Sequence, residues 1–232
     1  MVYLRSLFTS FLFLLTLAGC SFFFNDSVME TLHHIAPRGG DAERVEFDPG
    51  FHYLRVETGG NVIFMASDIP RIDTADTVDI WYSAGREVLR FRNGRLVAAV
   101  GLATEWRGIV VQGLPTWAEI ASAARPVRWS RIRDVMPGYR YGVHDALVLS
   151  GIPPPDDSQL KGIDPYSLTW YEERLDTQNT GTDSRGDEEL PPARYALDTR
   201  NAGGTVVYGE QCLSAELCFT RQRWPVHVEA RK

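Results

Sequence analysis

The sequence is poor in cysteine, with three in 232 residues. That scarcity excludes a disulfide-dense scaffold, which relies on several bridges in a small chain. The five histidines, His33, His34, His52, His144 and His227, stand at no finger-like spacing from a cysteine, so no metal ligand set emerges. There is no basic excess: Lys and Arg number 24 against 30 Asp and Glu, a net charge of −6. Without a cationic surplus to release counterions, nucleic acid is excluded as a partner. A Gly-x-Ser-x-Gly elbow, a zincin motif and a phosphate-binding loop are all missing, and no cofactor signature is found. Helical signals are few and short.

The one long apolar run lies at the start. It extends from Leu7 to Leu17 behind Arg5 and closes on Leu17-Ala18-Gly19-Cys20. A positive charge, an apolar stretch and small residues before a cut describe a secretory leader, and the cysteine makes it a lipoprotein leader. Cleavage before Cys20 would leave that residue as the lipidation site, carrying acyl chains whose methylenes each contribute about 0.8 kcal/mol of membrane binding. A transmembrane span fits less well, because Gly19, Cys20, Ser21 and Asn25 interrupt the apolar run and Asp26 follows it. Ser21 after the cysteine, in place of a retention-signalling Asp, directs the anchored protein to the outer membrane, facing the periplasm. The expected organisation is a leader over residues 1–19, a tether over 20–44 and a β-rich domain over 45–232.

Inside that domain the signals are those of hairpins. Phe51 to Glu57 and Val62 to Ala66 flank a turn at Thr58-Gly59-Gly60-Asn61. Ile80 to Ser83 leads to Glu87 to Arg92, then Asn93-Gly94, then Arg95 to Val100. Asn-Gly accepts the positive φ angles of a type I′ turn, so it is a strong hairpin signal. A two-residue loop sets Arg92 opposite Arg95, Phe91 opposite Leu96, Arg90 opposite Val97 and Leu89 opposite Ala98. One face is then apolar and belongs to a core, while the other carries Arg90, Arg92 and Arg95. Such an arginine face is either solvated or internally paired, or a contact for an acidic polysaccharide or a partner protein.

Thr116-Trp117-Ala118-Glu119 is a capping box for one or two helical turns that Pro126 stops. Asp164-Pro165 opens either a helical turn or the approach to a strand over Ser167 to Arg174. The stretch 176–189 holds no large apolar residue and reads as a mobile polar loop. Tyr195 to Asp198, Thr205 to Cys212 and Leu217 to Trp224 read as strands. The last two face each other across a disulfide between Cys212 and Cys218, worth about 2 kcal/mol by loop entropy. A metal or redox pair there would need partners the sequence does not offer. The predicted class is all-β, with curved antiparallel sheets in a half-barrel or sandwich-like arrangement and a few short helices.

An enzymatic reading finds no site. Glu172 and Glu173 are adjacent, so on a strand they point to opposite faces and cannot flank a glycosidic bond together. Asp134, Asp145 and Asp164 supply further carboxylates, but no spacing selects a pair. Trp81, Trp106 and Trp224 are the aromatics a sugar would stack on, yet in strand contexts they read first as core.

Three blocks resemble the YjbF/GfcB-type lipoproteins, the group 4 capsule polysaccharide lipoprotein family. The first is Trp81-Tyr82-Ser83 with Glu87-Val88-Leu89-Arg90, Asn93-Gly94-Arg95-Leu96-Val97, Gly101-Leu102 and Trp106. The second is Met136-Pro137-Gly138-Tyr139-Arg140-Tyr141-Gly142, with Leu160, Gly162 and Trp170-Tyr171-Glu172-Glu173 downstream. The third is Tyr208-Gly209-Glu210-Gln211-Cys212-Leu213-Ser214, then Cys218-Phe219 and Gln222-Arg223-Trp224-Pro225. The resemblance implies a lipid-anchored, non-enzymatic outer-membrane factor in exopolysaccharide or capsule secretion. Its implied partners are an export β-barrel, a periplasmic export protein and the polysaccharide itself. The alternatives are a periplasmic polysaccharide-modifying enzyme and a generic envelope-assembly lipoprotein.

Overall fold

The computed structural model describes residues 47–67, 78–176, 190–200 and 204–226. Cys20, the tether at 20–44 and the polar stretch beyond Asp176 lie outside the described residues. Twelve strands follow in order: β1 (His52–Thr58), β2 (Asn61–Ser67), β3 (Val78–Ser83), β4 (Val88–Arg92), β5 (Arg95–Val100), β6 (Glu105–Gln112), β7 (Val127–Met136), β8 (Arg140–Ile152), β9 (Thr169–Leu175), β10 (Ala193–Asp198), β11 (Thr205–Cys212) and β12 (Cys218–Trp224). A short helix, α1 (Trp117–Ser122), stands between β6 and β7, and one 3-10 turn, Pro165–Ser167, precedes β9.

Each strand pairs antiparallel with its neighbours in sequence, and β1 also pairs with β12 from Tyr53↔Trp224 to Glu57↔Thr220. The all-β expectation holds. Its curvature is complete, however: the sheet closes into a barrel rather than stopping at a half-barrel or folding into a sandwich. Closure joins the first and last strands, which would otherwise expose unpaired edges.

Small barrels of about eight strands are just filled by their own side chains, so twelve leave a wider lumen to occupy. Trp81, Phe91, Trp106, Trp129 and Tyr195 point inward and are buried. The tip of the β4–β5 hairpin and the Trp117 ring of α1 fill the end where that turn lies. Asn93 and Gly94 adopt φ of 48° and 71°, as a type I′ turn requires, and the Asn93 carbonyl accepts a bond from Trp117 Nε1 at 3.0 Å. Gly94 lies so close to β11 that a Cβ there would clash with Val206 Cγ2. At the opposite end the Cys212–Cys218 disulfide closes the β11–β12 hairpin, and the neighbouring Leu213 carbonyl accepts from Trp106 Nε1 at 3.0 Å.

The outer wall mixes polar and apolar residues: β7 presents Arg128, Ser130, Ile132 and Asp134 outward, β8 presents His144, Ala146 and Val148, and β9 presents Glu172 and Arg174. Two parts of the wall are covered by the chain itself. Leu160 and Leu168 pack on Trp170, Ala196 and Tyr208, and Phe47 packs on Tyr53 and Phe64.

The hairpins at 58–61 and 93–94, the capping box of Thr116 and Glu119, and the strands after 190 lie where the sequence puts them. Asp164 caps the 3-10 turn and β9 follows it, so both readings of that segment are realised in succession. β6, β7 and β8 had no sequence signal. In β7 and β8 the inward alternate positions include Arg131, Arg133 and Asp145, so alternation of polarity is lost although alternation of side-chain direction is kept.

Candidate functional site

Two polar constellations stand out, one sealed inside the barrel and one on its wall. Inside, the Asp145 carboxylate accepts from Arg131 Nε at 2.6 Å and Arg133 Nε at 2.8 Å. Both arginines come from β7 and Asp145 from β8, and the register Arg131↔Asp145 and Arg133↔Val143 brings them together. The guanidinium groups lie 4.5 and 4.9 Å from the Trp106 ring centroid. Burial by itself would push the Asp145 carboxyl up, but the two arginines outweigh it and hold it below the usual carboxylate range.

Glu173 is the second buried carboxylate. It accepts from Trp129 Nε1 at 3.1 Å and from the Tyr195 hydroxyl at 3.3 Å. Arg95 Nε stands 3.8 Å away and Arg131 Nη1 3.9 Å away. Desolvation pulls the Arg95 guanidinium down and pushes the Tyr195 hydroxyl up. A fourth buried arginine, Arg221, lies over Phe91 at 4.1 Å and donates to the Gly94 carbonyl; burial pulls it down to about 10. The cavity bordered by Trp106, Arg131, Glu173 and Gln211 measures about 20 Å³, room for a water rather than a substrate.

This interior overturns the proposed arginine face. Arg90 is exposed and Arg92 half-buried, but Arg95 is 2% exposed. Arg92 does stand opposite Arg95, and Phe91 opposite Leu96. A bulge then pairs Arg90 with Ala98 and Leu89 with Ala99, leaving Val97 as the extra residue. The tip tucks into the lumen, and Arg95 lies over the Trp117 ring at 3.9 Å with Nη1 donating to the Pro115 carbonyl at 3.2 Å. The three arginines therefore share no contact surface, and Arg95 cannot meet a polymer from solution.

The other carboxylates weighed from sequence have separate partners. Glu172 faces outward and pairs with Arg174, opposite in direction to Glu173 as adjacent strand residues must be. Asp134 accepts from the Gly142 N–H, and Asp164 from Tyr166 N–H. Trp81 and Trp106 are core residues, and Trp224 is half-buried beside Phe64. Among the described residues no group of three or more His, Cys, Asp or Glu is placed to hold a metal.

The second constellation is a groove of about 430 Å³ on the outer wall over β1, β12, β11 and β10. The registers Glu57↔Thr220, Glu210↔Thr220 and Arg194↔Glu210 set four polar side chains in one row across four strands. The Gly59-Gly60 turn and the Cys212–Cys218 bridge border it on one side and Gln159 on the other. Gln159 is held there because its N–H donates to the Tyr208 hydroxyl at 2.9 Å, which in turn donates to Glu210 Oε1 at 2.8 Å. Arg194 is ringed by Asp157 at 2.8 Å, Glu210 at 3.3 Å and Glu172 at 3.8 Å. Burial lowers its proton affinity, but these carboxylates outweigh that and hold it above its ordinary value. Burial also pushes the Glu210 carboxyl up. No sequence signal marks this row, because only barrel closure brings Glu57 beside Thr220.

No protein-family model matches the chain, and no curated protein matches it by sequence. Among solved structures, the barrel is similar to that of the hypothetical lipoprotein YmcC from Escherichia coli (K12). The TM-score is 0.52 at 13% identity, over 77% of this chain and 86% of that one. The likeness is one of fold.

Proposed function

We propose that this chain is a lipoprotein anchored through Cys20 in the outer membrane on its periplasmic face. There it serves as a non-enzymatic accessory factor in exopolysaccharide or capsule secretion, beside an export β-barrel and a periplasmic export protein. The observation that carries the reading is the pairing of a Leu17-Ala18-Gly19-Cys20 box with a closed antiparallel barrel similar in fold to a lipoprotein. The resemblance of the three sequence blocks to the YjbF/GfcB-type family supplies the capsule context. Support for a non-enzymatic role comes from Asp145 and Glu173, which are buried and tied to arginine.

Two measurements test this. Cys20→Ser should abolish labelling by radioactive fatty acid and leave unprocessed precursor; equal labelling would overturn the anchor. Deletion of the gene should cut surface polysaccharide while leaving polymer synthesis intact, and the anchored protein should bring an export barrel with it on purification from outer membrane. Normal surface polysaccharide in the deletion strain would overturn the secretion role.

A further inference from the structure

We propose that the outer-wall groove is a glycan site, and that it takes an uncharged or amino-bearing sugar segment rather than an acidic one. The inference rests on the secretion reading for its context, but its argument is the groove's own chemistry.

The volume lies in the range of about 300–1,000 Å³ typical of small-molecule sites. The floor is a rigid β wall, so its polar groups hold their spacing without a ligand. Glu57, Thr220 and Glu210 follow one another on adjacent strands, and Gln159 faces them across the groove. This alternation of carboxylate, hydroxyl and amide suits the closely spaced hydroxyls of a sugar ring, each of which can both donate and accept. Pro191 and Pro192 add an apolar border.

Charge decides the class. Arg194 is the cation lining the groove, and Asp157, Glu172 and Glu210 already surround it. Arg55 nearby is paired with Glu57 at 2.8 Å. Among the described residues Glu57, Glu210, Asp157 and Glu172 outnumber Arg194, Arg55 and Arg174, so a uronate would meet net repulsion. Sugar hydroxyls or an ammonium group instead find charged acceptors, and hydrogen bonds to charged groups are the stronger kind.

A basic peptide would satisfy the same charge. The main chain argues against it, because β1, β12, β11 and β10 are each paired on both sides, leaving no edge for strand addition.

The test uses the full-length protein in detergent micelles, with glucosamine tetrasaccharide, cellotetraose, tetragalacturonate and tetralysine as probes in calorimetry and saturation-transfer NMR. The first two should bind, the amino sugar more tightly and with salt sensitivity, and tetragalacturonate should not. Glu57→Gln with Glu210→Gln should weaken glucosamine tetrasaccharide by about tenfold or more. Glu57→Gln alone gives a partial loss if the double variant is unstable, and Arg107→Ala, on exposed β6, leaves binding unchanged. Failure of both saccharides to bind, preference for tetragalacturonate, tighter binding of tetralysine, or indifference to the glutamate changes would each overturn the proposal. Binding in vitro with normal surface polysaccharide in the deletion strain would instead overturn the secretion reading alone.

Discussion

Among the described residues four arginines carry charge inside the barrel, and three different neighbours hold them. Arg131 and Arg133 share Asp145, Arg95 lies between Glu173 and the Trp117 ring, and Arg221 reaches a backbone carbonyl. Removing one partner of a buried pair leaves an uncompensated charge, which costs about 3–5 kcal/mol. Asp145→Ala should therefore lose that much in urea unfolding, and a loss below about 1 kcal/mol would show that water reaches the pair. Arg95→Ala should be clearly destabilising while Arg90→Ala, exposed on the same hairpin, should stay within about 0.5 kcal/mol. The same site sets an acid limit. The folded Asp145 carboxyl lies below its reference of 3.8, so its stabilisation is complete above that value and is lost as pH falls through it towards the lower folded value. Asp145→Asn should flatten stability against pH in that window, as measured by urea midpoints at stepped pH.

At the scale of elements, the β4–β5 hairpin matters more for where its tip goes than for its strands. Gly94 combines positive φ with a close approach to Val206. Gly94→Ala adds both a left-handed penalty of about 1–2 kcal/mol and overpacking of about 1–3 kcal/mol. Pairing it with Val206→Ala should return part of the second cost and none of the first, which a double-mutant cycle reads directly. The disulfide works on a smaller scale. Replacing Cys212 and Cys218 together by Ser should cost about 2 kcal/mol, and the Leu213 carbonyl contact to Trp106 places that change at the barrel end rather than in its middle.

Over the whole molecule, the wall is built almost entirely of local hairpins, and β1–β12 is the pairing that joins the two ends of the barrel. Loop closure makes such a distant contact late to form. Leu54→Ala, at a fully buried position of β1, should cost about 2–5 kcal/mol. Most of that should appear as faster unfolding rather than slower folding. A chevron in which the folding arm falls instead would place closure in the nucleus.

The sequence alone determined the features that depend on neighbours along the chain. Asn93-Gly94 marks its turn because only certain residues accept positive φ, Thr116 and Glu119 mark a helix start because their side chains meet backbone donors three residues away, and Cys212 and Cys218 flank a short turn. From that bridge, Glu210 opposite Thr220 could be counted. What the tertiary structure decided depends on partners far away. β7 and β8 were illegible because Arg131, Arg133 and Asp145 interrupt their inward apolar alternation, and only the Arg131–Asp145–Arg133 contact explains how these charges are tolerated. The sequence left Arg95 as a solvated, internally paired or contact charge, because strand alternation says which side a residue faces, not whether a hairpin tip then folds into a lumen. The groove row needed closure of β1 on β12, since Glu57 becomes a neighbour of Thr220 only when the sheet meets itself.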